Sequence, residues 1–304
     1  MTEKHKGIAF AIIGTTFWGM SGVTAQYLFA DQPVEPAWLV GVRMGIAGVL
    51  LVVWSLFTDF HEVFAIWRHW RDWVQLILFA ICGMIPSQYC YFMAVKHGNA
   101  PTATILQFLG PLFIIIYLAL RHLRWPRRID MISMAVALFG TYLLVTKGQF
   151  DSLQLAPAAV FWGVSAGVGQ ALYTLIPIRL LRQYDAKVVT GWAMIIGSLV
   201  FLPHNLSQPL PALNAVGWAG VLFVATFGTM FAYLLYLQSL DYILPATTGM
   251  LSSFEPLTAT VLSIIVLHTA FGVPEMIGGA MILATAFLQA MAVRGPHPTT
   301  QKTG

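Results

Sequence analysis

A chain of 304 residues that is 58% hydrophobic and only 9% charged cannot cover a globular surface with polar groups, since soluble domains carry about a quarter of their residues as charges. Its solvent is therefore lipid, which sets aside the two soluble domains that length alone would suggest. The net charge of +4 sits in short loops between apolar runs, so it speaks for membrane topology rather than for a nucleic-acid partner.

Ten stretches meet the requirement of about 20 mainly apolar residues for a spanning helix: 7–29, 37–58, 73–95, 101–120, 129–146, 157–178, 186–203, 214–240, 244–267 and 272–293. The first follows "KHK" but is too long for a signal core and lacks a small-x-small cleavage site, so it reads as a spanning helix. "DQPVEP" ends it, and the second span carries Arg43 within "GVRMG". "HEVFAIWRHWRDW" (61–73) interleaves tryptophans with arginines, the pattern of an interfacial stub at headgroup level. The third span holds Cys82 and Cys90, which one helix separates by about 12 Å, too far for a disulfide. The eighth is long enough to include an interfacial part. Lipid forces each span to satisfy its own backbone, so all are expected to be helices.

With the N-terminus inside, 13 of the 16 basic residues lie on the cytoplasmic side, Lys96 and Lys147 lie outside, and Arg43 lies within a span. This segregation supports the count of ten and places both termini in the cytoplasm of a cell (inner or plasma) membrane.

The two halves repeat each other. "FWGMSG" (17–22) recurs as "FWGVSAG" (161–167) at a lag of 144, while Gly83 and Gly228, Tyr91 and Tyr236, and Pro111 and Pro256 match at 145. The expected units are 1–148 and 149–294, followed by a cytoplasmic tail, 295–304. Each has five helices, an odd number, so the second must enter the membrane from the opposite side. The fold class is thus an all-α integral membrane protein with ten transmembrane helices in two inverted five-helix repeats. Secondary transporters use this architecture, with a substrate site near the midplane between the repeats.

The ten spans, the doubled unit, the "FWG" of the first helix, the Y-x-x-A…A-P-T-A…G-P-L run at 91–112 and the "EP" of the ninth helix together resemble the drug/metabolite transporter superfamily, specifically its EamA-type members. The resemblance implies export, or in some cases exchange or uptake, of small metabolites such as amino acids, amines or drugs. One departure stands out. Such repeats often carry an acid just after the fourth and ninth helices, where this chain reads "LALRHLRW" and "IVLHTAFG", with His268 the titratable residue of the second.

Within the spans, Glu255 lies about 16 Å into the ninth helix, close to the midplane, when counted from residue 244. A charge there costs at least about 2.5–3.5 kcal/mol, so it should face a cavity or a partner. Pro256 is expected to free the carbonyl of Ser252, and Pro111 that of Gln107; Pro86 marks a third kink. Glu255 reads as a cavity-lining acid that binds a cationic group or carries a proton; the bland alternative is a protonated carboxyl bonded to a neighbouring helix. Arg43, about 9 Å below the outer end of its helix, either snorkels to the interface or serves as an anion anchor or partner for Glu255. Gln26, Gln88 and Gln107 in the outer half and Gln170 near the midplane suggest a polar vestibule leaning outward, although each amide alone is more often interhelical glue. Trp18 and Trp162, repeat counterparts, are candidate lining residues. Tyr91 and Tyr236 fall near span ends, where interfacial belts place tyrosines.

"GVSAG" (163–167) matches G-x-S-x-G and makes an intramembrane serine hydrolase the alternative class. That elbow needs a strand-to-helix turn, whereas Ser165 lies in a helical span, so no enzyme activity is expected. No zinc spacing, phosphate-cradling loop or dinucleotide fingerprint occurs; no metal or cofactor is expected, and transport should be gradient-driven, with a small-molecule substrate and proton coupling at Glu255. Substrate identity, direction, coupling ion and oligomeric state are not encoded legibly.

Overall fold

The structure, a computed structural model, describes residues 3–58, 60–123, 125, 128–149, 155–243, 247–248 and 251–292, and among these all regular structure is helical. Ten principal helices follow in order: α1 (Glu3–Asp31), α2 (Pro36–Thr58), α3 (Trp70–His97), α4 (Ala100–Arg121), α5 (Arg128–Thr146), α6 (Pro157–Ile178), α7 (Ala186–Ser207), α8 (Ala215–Ser239), α9 (Phe254–Leu267) and α10 (Val273–Ala292). The first eight are long and apolar enough to cross a membrane, and the last two contribute shorter apolar stretches, Phe254–Leu267 and Val273–Thr285. The expected ninth span began at residue 244; residues 244–246 and 249–250 lie outside the described set, and so does the tail. A short helix, Phe60–Ala65, leads into α3, with Trp67, Trp70 and Trp73 all exposed beside it, as an interfacial stub requires. Trp192 of α7 donates its indole N–H to the Val63 carbonyl and ties the stub down.

Side chains set the helix starts. Asn99, Asp185 and Asn214 accept from Thr102, Lys187 and Gly217 backbone N–H groups, each satisfying a donor that a helix start leaves orphaned.

Local irregularities recur between the halves. Both third helices, α3 and α8, contain a π-helical turn, Phe79–Met84 and Thr226–Phe231. Pro86 follows the first, but Phe231 holds the matching place in the second half, so the proline does not by itself cause the turn. In the second, the Thr229 hydroxyl bonds the Val224 carbonyl five residues back. Both fourth helices break before their prolines, at Phe108–Leu109 and at Ser252–Ser253. Both end on a left-handed residue, Leu123 (φ 48) and His268 (φ 50). The expected free carbonyl of Ser252 is not free: the Glu255 N–H closes onto it at 3.0 Å, forming a turn that takes up the bond Pro256 cannot make.

The halves interlock by exchange. α1 packs against α8 and α9 of the second half, and α6 packs against α3 and α4 of the first. Along α1, Thr15 meets Leu251, Gly19 meets Glu255 and Thr258, and Gln26 meets Thr269, so α1 and α9 run parallel. Likewise Gly163 meets Leu106 and Gly167 meets Leu109 and Phe113, so α6 runs parallel to α4. The second helices pair antiparallel, Gly41 on Phe201 and Asn205 and Gly48 on Ile195 and Gly191. So do the fifth, where Gly140 faces Gly278 and Met281 while Leu144 faces Gly278. Antiparallel pairing of corresponding helices is what two oppositely oriented repeats produce. Small residues let the backbones approach closely, which drives packing in lipid. The glycines of "GVSAG" therefore have a packing role, holding α6 against Leu106.

Candidate functional site

A cavity of about 470 Å³ lies between the halves. Among the described residues every helix except α5 and α10 contributes to its wall, so that pair supports the lining rather than forming it. Its closed end is formed by Arg43, Gln88 and Tyr91; its wall then follows Tyr173, Thr174 and Pro177 of α6 and Tyr236 and Leu237 of α8 to Leu181 and Leu240. Those two leucines are exposed at the end where α1 begins and α6 and α8 finish. The vestibule thus leans toward the N-terminal side, not outward as the sequence suggested.

The closed end is held by a polar chain. Arg43 is only 4% exposed, so it does not snorkel. Its guanidinium lies 4.6 Å from the Phe92 ring centroid and donates through Nη2 to the Gln88 carbonyl oxygen. Gln88 then donates through Nε2 to Tyr233 at 2.9 Å. Tyr91 is buried rather than interfacial and shares a hydrogen bond with Thr104 at 3.1 Å. Two buried polar atoms in this wall, Arg43 Nε and Ser21 Oγ, have no hydrogen-bond partner among the described residues. Buried groups of this kind are rare and call for a ligand or water.

Glu255 stands in the first turn of α9, directly before Pro256. Gly19 lets α1 close onto its backbone. The side chain is half-buried and lines the cavity, and among the described residues it has no hydrogen-bond or ion-pair partner. Arg43 and Glu255 line the same cavity, and no ion pair joins them among the described residues. Aromatic rings line the same cavity: Trp18 packs on Tyr233 and Tyr236, each at 5.0 Å between centroids, and Tyr173 lies 6.4 Å from Tyr233.

Of the sequence candidates, Glu255, Arg43, Gln88, Gln107, Gln170 and Trp18 meet in this one cavity. Gln170 accepts from the Ser87 hydroxyl at 2.9 Å and Gln107 donates to the Ser87 carbonyl at 3.1 Å. Gln26 and Trp162 stand elsewhere. Gln26 bridges the Ala100 N–H and Thr269, sealing α1 against α4 and the end of α9. Trp162 packs edge-on against Tyr89 and Phe161. Pro111 lines the cavity beside the α4 break, and Pro256 is buried next to Glu255. The sequence reading missed Tyr233 and Ser21 as members of the wall and misplaced Tyr91 and Tyr236. The signal for Tyr233 was present: it is 145 positions after Gln88.

At the mouth end, a second polar cluster joins the halves. Asp72, buried at the start of α3, receives Arg179 on Oδ1 and the Tyr184 hydroxyl on Oδ2 at 2.7 Å. Burial, followed by the bond to Asp72, pushes the Tyr184 phenol up to about 12. The Asp185 N–H donates to Glu62 at 2.7 Å, and Gln75 donates to the Ile176 carbonyl at 2.6 Å.

Comparison with known proteins agrees with this architecture. The model of the EamA-like transporter family matches twice, over residues 5–146 and 157–291. The chain therefore belongs to the EamA-like transporter family, a family of multi-pass membrane proteins. It is 32% identical over 295 residues to the "uncharacterized inner membrane transporter YicL" of Salmonella typhimurium, with 97% of this chain and 98% of that protein covered. It is 27% identical to the "uncharacterized transporter YwfM" of Bacillus subtilis (97% and 95% covered). It is 25% identical to the "protein PecM" of Dickeya dadantii (94% and 92% covered). A solved crystal structure shares the fold at a TM-score of 0.63 and 18% identity, covering 96% of this chain and 98% of its own.

Proposed function

We propose that this protein is a secondary transporter that carries a small organic solute bearing a cationic group, such as an amine, a drug or an amino acid, and that it exports this solute. The observation that carries the reading is the unpartnered carboxylate of Glu255 in an aromatic-walled cavity. A carboxylate flanked by π faces attracts organic cations by charge and by the ring quadrupole. The unsatisfied Arg43 Nε and Ser21 Oγ offer donors to an acceptor group elsewhere on the same solute. Without solute, Glu255 is the site for a coupled proton.

The chain works by alternating access, the two inverted halves rocking about the cavity. It resides in the cell membrane, as the name of the Salmonella relative supports, with both termini cytoplasmic by the distribution of basic residues. The cavity then opens to the cytoplasm, as an exporter awaiting its load requires.

The test is counterflow of labelled amines, amino acids and dyes in proteoliposomes. Glu255→Gln removes a charge-assisted contact, so cationic substrates should lose about 10–100-fold in apparent affinity. Full transport by this variant, with unchanged pH dependence, refutes the role of Glu255.

A further inference from the structure

Another concavity, of about 290 Å³, lies at the mouth end and is lined by His69, Trp70, Arg71, Asp72, Arg179 and Gln183. The first four open α3 in the first half, and the last two belong to the α6–α7 link in the second. Asp72 is paired with Arg179 and accepts from the Tyr184 hydroxyl, so the two opposite charges offset each other. Arg71 is exposed, lies over the Trp70 ring at 5.6 Å, and has no carboxylate partner among the described residues. Arg68 and Arg182, also exposed, stand next to the site in sequence and are likewise without an acidic partner. The concavity therefore carries a net positive charge: Asp72 offsets Arg179, while Arg71 inside the pocket and Arg68 and Arg182 beside it have no acidic partner among the described residues.

Its setting identifies the occupant. Trp67, Trp70 and Trp73 are all exposed at the same end, as are Phe60 and Phe64 of the adjoining stub, and tryptophan at this density marks headgroup level. A pocket open at that depth faces lipid phosphates rather than bulk water, and basic groups near a membrane surface each contribute favourably to binding acidic lipid. We propose that this pocket holds the phosphate of an anionic phospholipid, with Arg71 and Arg179 as its donors and Trp70 against the glycerol region. A headgroup held there touches both halves beside the mouth of the central cavity, and so braces the arrangement in which Asp72 and Arg179 are joined.

The full-length protein, purified in mild detergent, is offered phosphatidylglycerol or phosphatidylcholine and analysed by native mass spectrometry and thermal melting. Phosphatidylglycerol should be retained in preference and should raise the melting temperature more than phosphatidylcholine does. Arg71→Gln, an exposed position outside the Asp72 contacts, should weaken retention of the acidic lipid about fivefold. Arg71→Lys should keep most of it, and Lys4→Gln, a basic residue at the same end but outside the pocket, should keep all of it. Equal retention of the two lipids by the native protein overturns the proposal. So does an undiminished preference in Arg71→Gln. If soluble glycerol 1-phosphate, at the same concentration as the lipid, displaces phosphatidylglycerol and reproduces the thermal shift, the pocket serves a free phosphate ester and the lipid assignment fails.

Discussion

Gln88 donates to Tyr233 at 2.9 Å, and the two residues are 145 positions apart, the lag that separates the two repeats. Each is the other's counterpart, and only residues beside the pseudo-twofold axis can touch their own counterparts. The axis therefore passes through this hydrogen bond. Arg43 hangs on it, since its guanidinium donates to the Gln88 oxygen.

Gln88→Leu should consequently cost about 1–3 kcal/mol, because it leaves a buried guanidinium without its acceptor. Tyr233→Phe should cost less, as it strands only one amide N–H. The double variant should lose less than the sum of the two, because the pair shares one interaction. Denaturant or thermal unfolding in detergent checks this, and strict additivity contradicts the shared chain.

The seam between the fifth helices makes a steric prediction. A Cβ on Gly140 would lie 2.7 Å from the Gly278 carbonyl, and one on Gly278 would lie 2.5 Å from the Gly140 carbonyl. Gly140→Val or Gly278→Val should destabilise by about 1–3 kcal/mol through overpacking. Gly45→Ala should be tolerated, since its added carbon would meet Ser198 at an ordinary 3.6 Å. Equal losses at all three positions, in the same unfolding assay, argue against the packing seen here.

Tyr184 sets a pH dependence at the mouth. Its phenol titrates at about 12 instead of the ordinary 10.0, chiefly because it is withdrawn from water and bonded to Asp72. The folded state thus favours the protonated form. The stability this contributes is fully present below pH 10 and is lost as the pH rises toward about 12. Melting curves across that window should show native protein losing stability relative to Tyr184→Phe; parallel curves count against the bond.

Access to the cavity is directional. In a background of Cys82→Ala and Cys90→Ala, Leu181→Cys or Leu240→Cys should react with a membrane-impermeant maleimide added on the N-terminal side. Thr104→Cys, buried behind Tyr91 at the closed end, should resist it from either side. Labelling of Thr104→Cys from the far side would mean the vestibule opens that way.

The helices, their number and their doubled order were legible because lipid admits few backbone solutions and the repeat leaves matched landmarks such as Pro111 and Pro256. The site was legible in part, since a charge or amide in an apolar span must be sheltered, and Glu255, Arg43, Gln88, Gln107 and Gln170 all proved to be. What the sequence concealed was asymmetry. A repeat lag treats Trp18 and Trp162 as equals, yet the cavity opens toward one end, so inverted counterparts meet different surroundings: Trp18 lines it and Trp162 does not. Gln26 and Gln170, 144 positions apart, divide the same way, one sealing and one lining. Depth alone misled for Tyr91, because a residue near a helix end is interfacial only if its face meets lipid, and its face meets Thr104 and Gly22. The π-turns have no sequence signature beyond Gly83 and Gly228.

The fifth-helix seam also limits how such a molecule can move. Gly140 and Gly278 place main chain against main chain, leaving no side-chain layer to shear or rearrange. Gly19 on Glu255 and Gly169 on Ser87 bring backbones of the two halves equally close. Close backbone contacts of this kind tolerate no added side chain, so any relative movement of the halves has to carry them along as units.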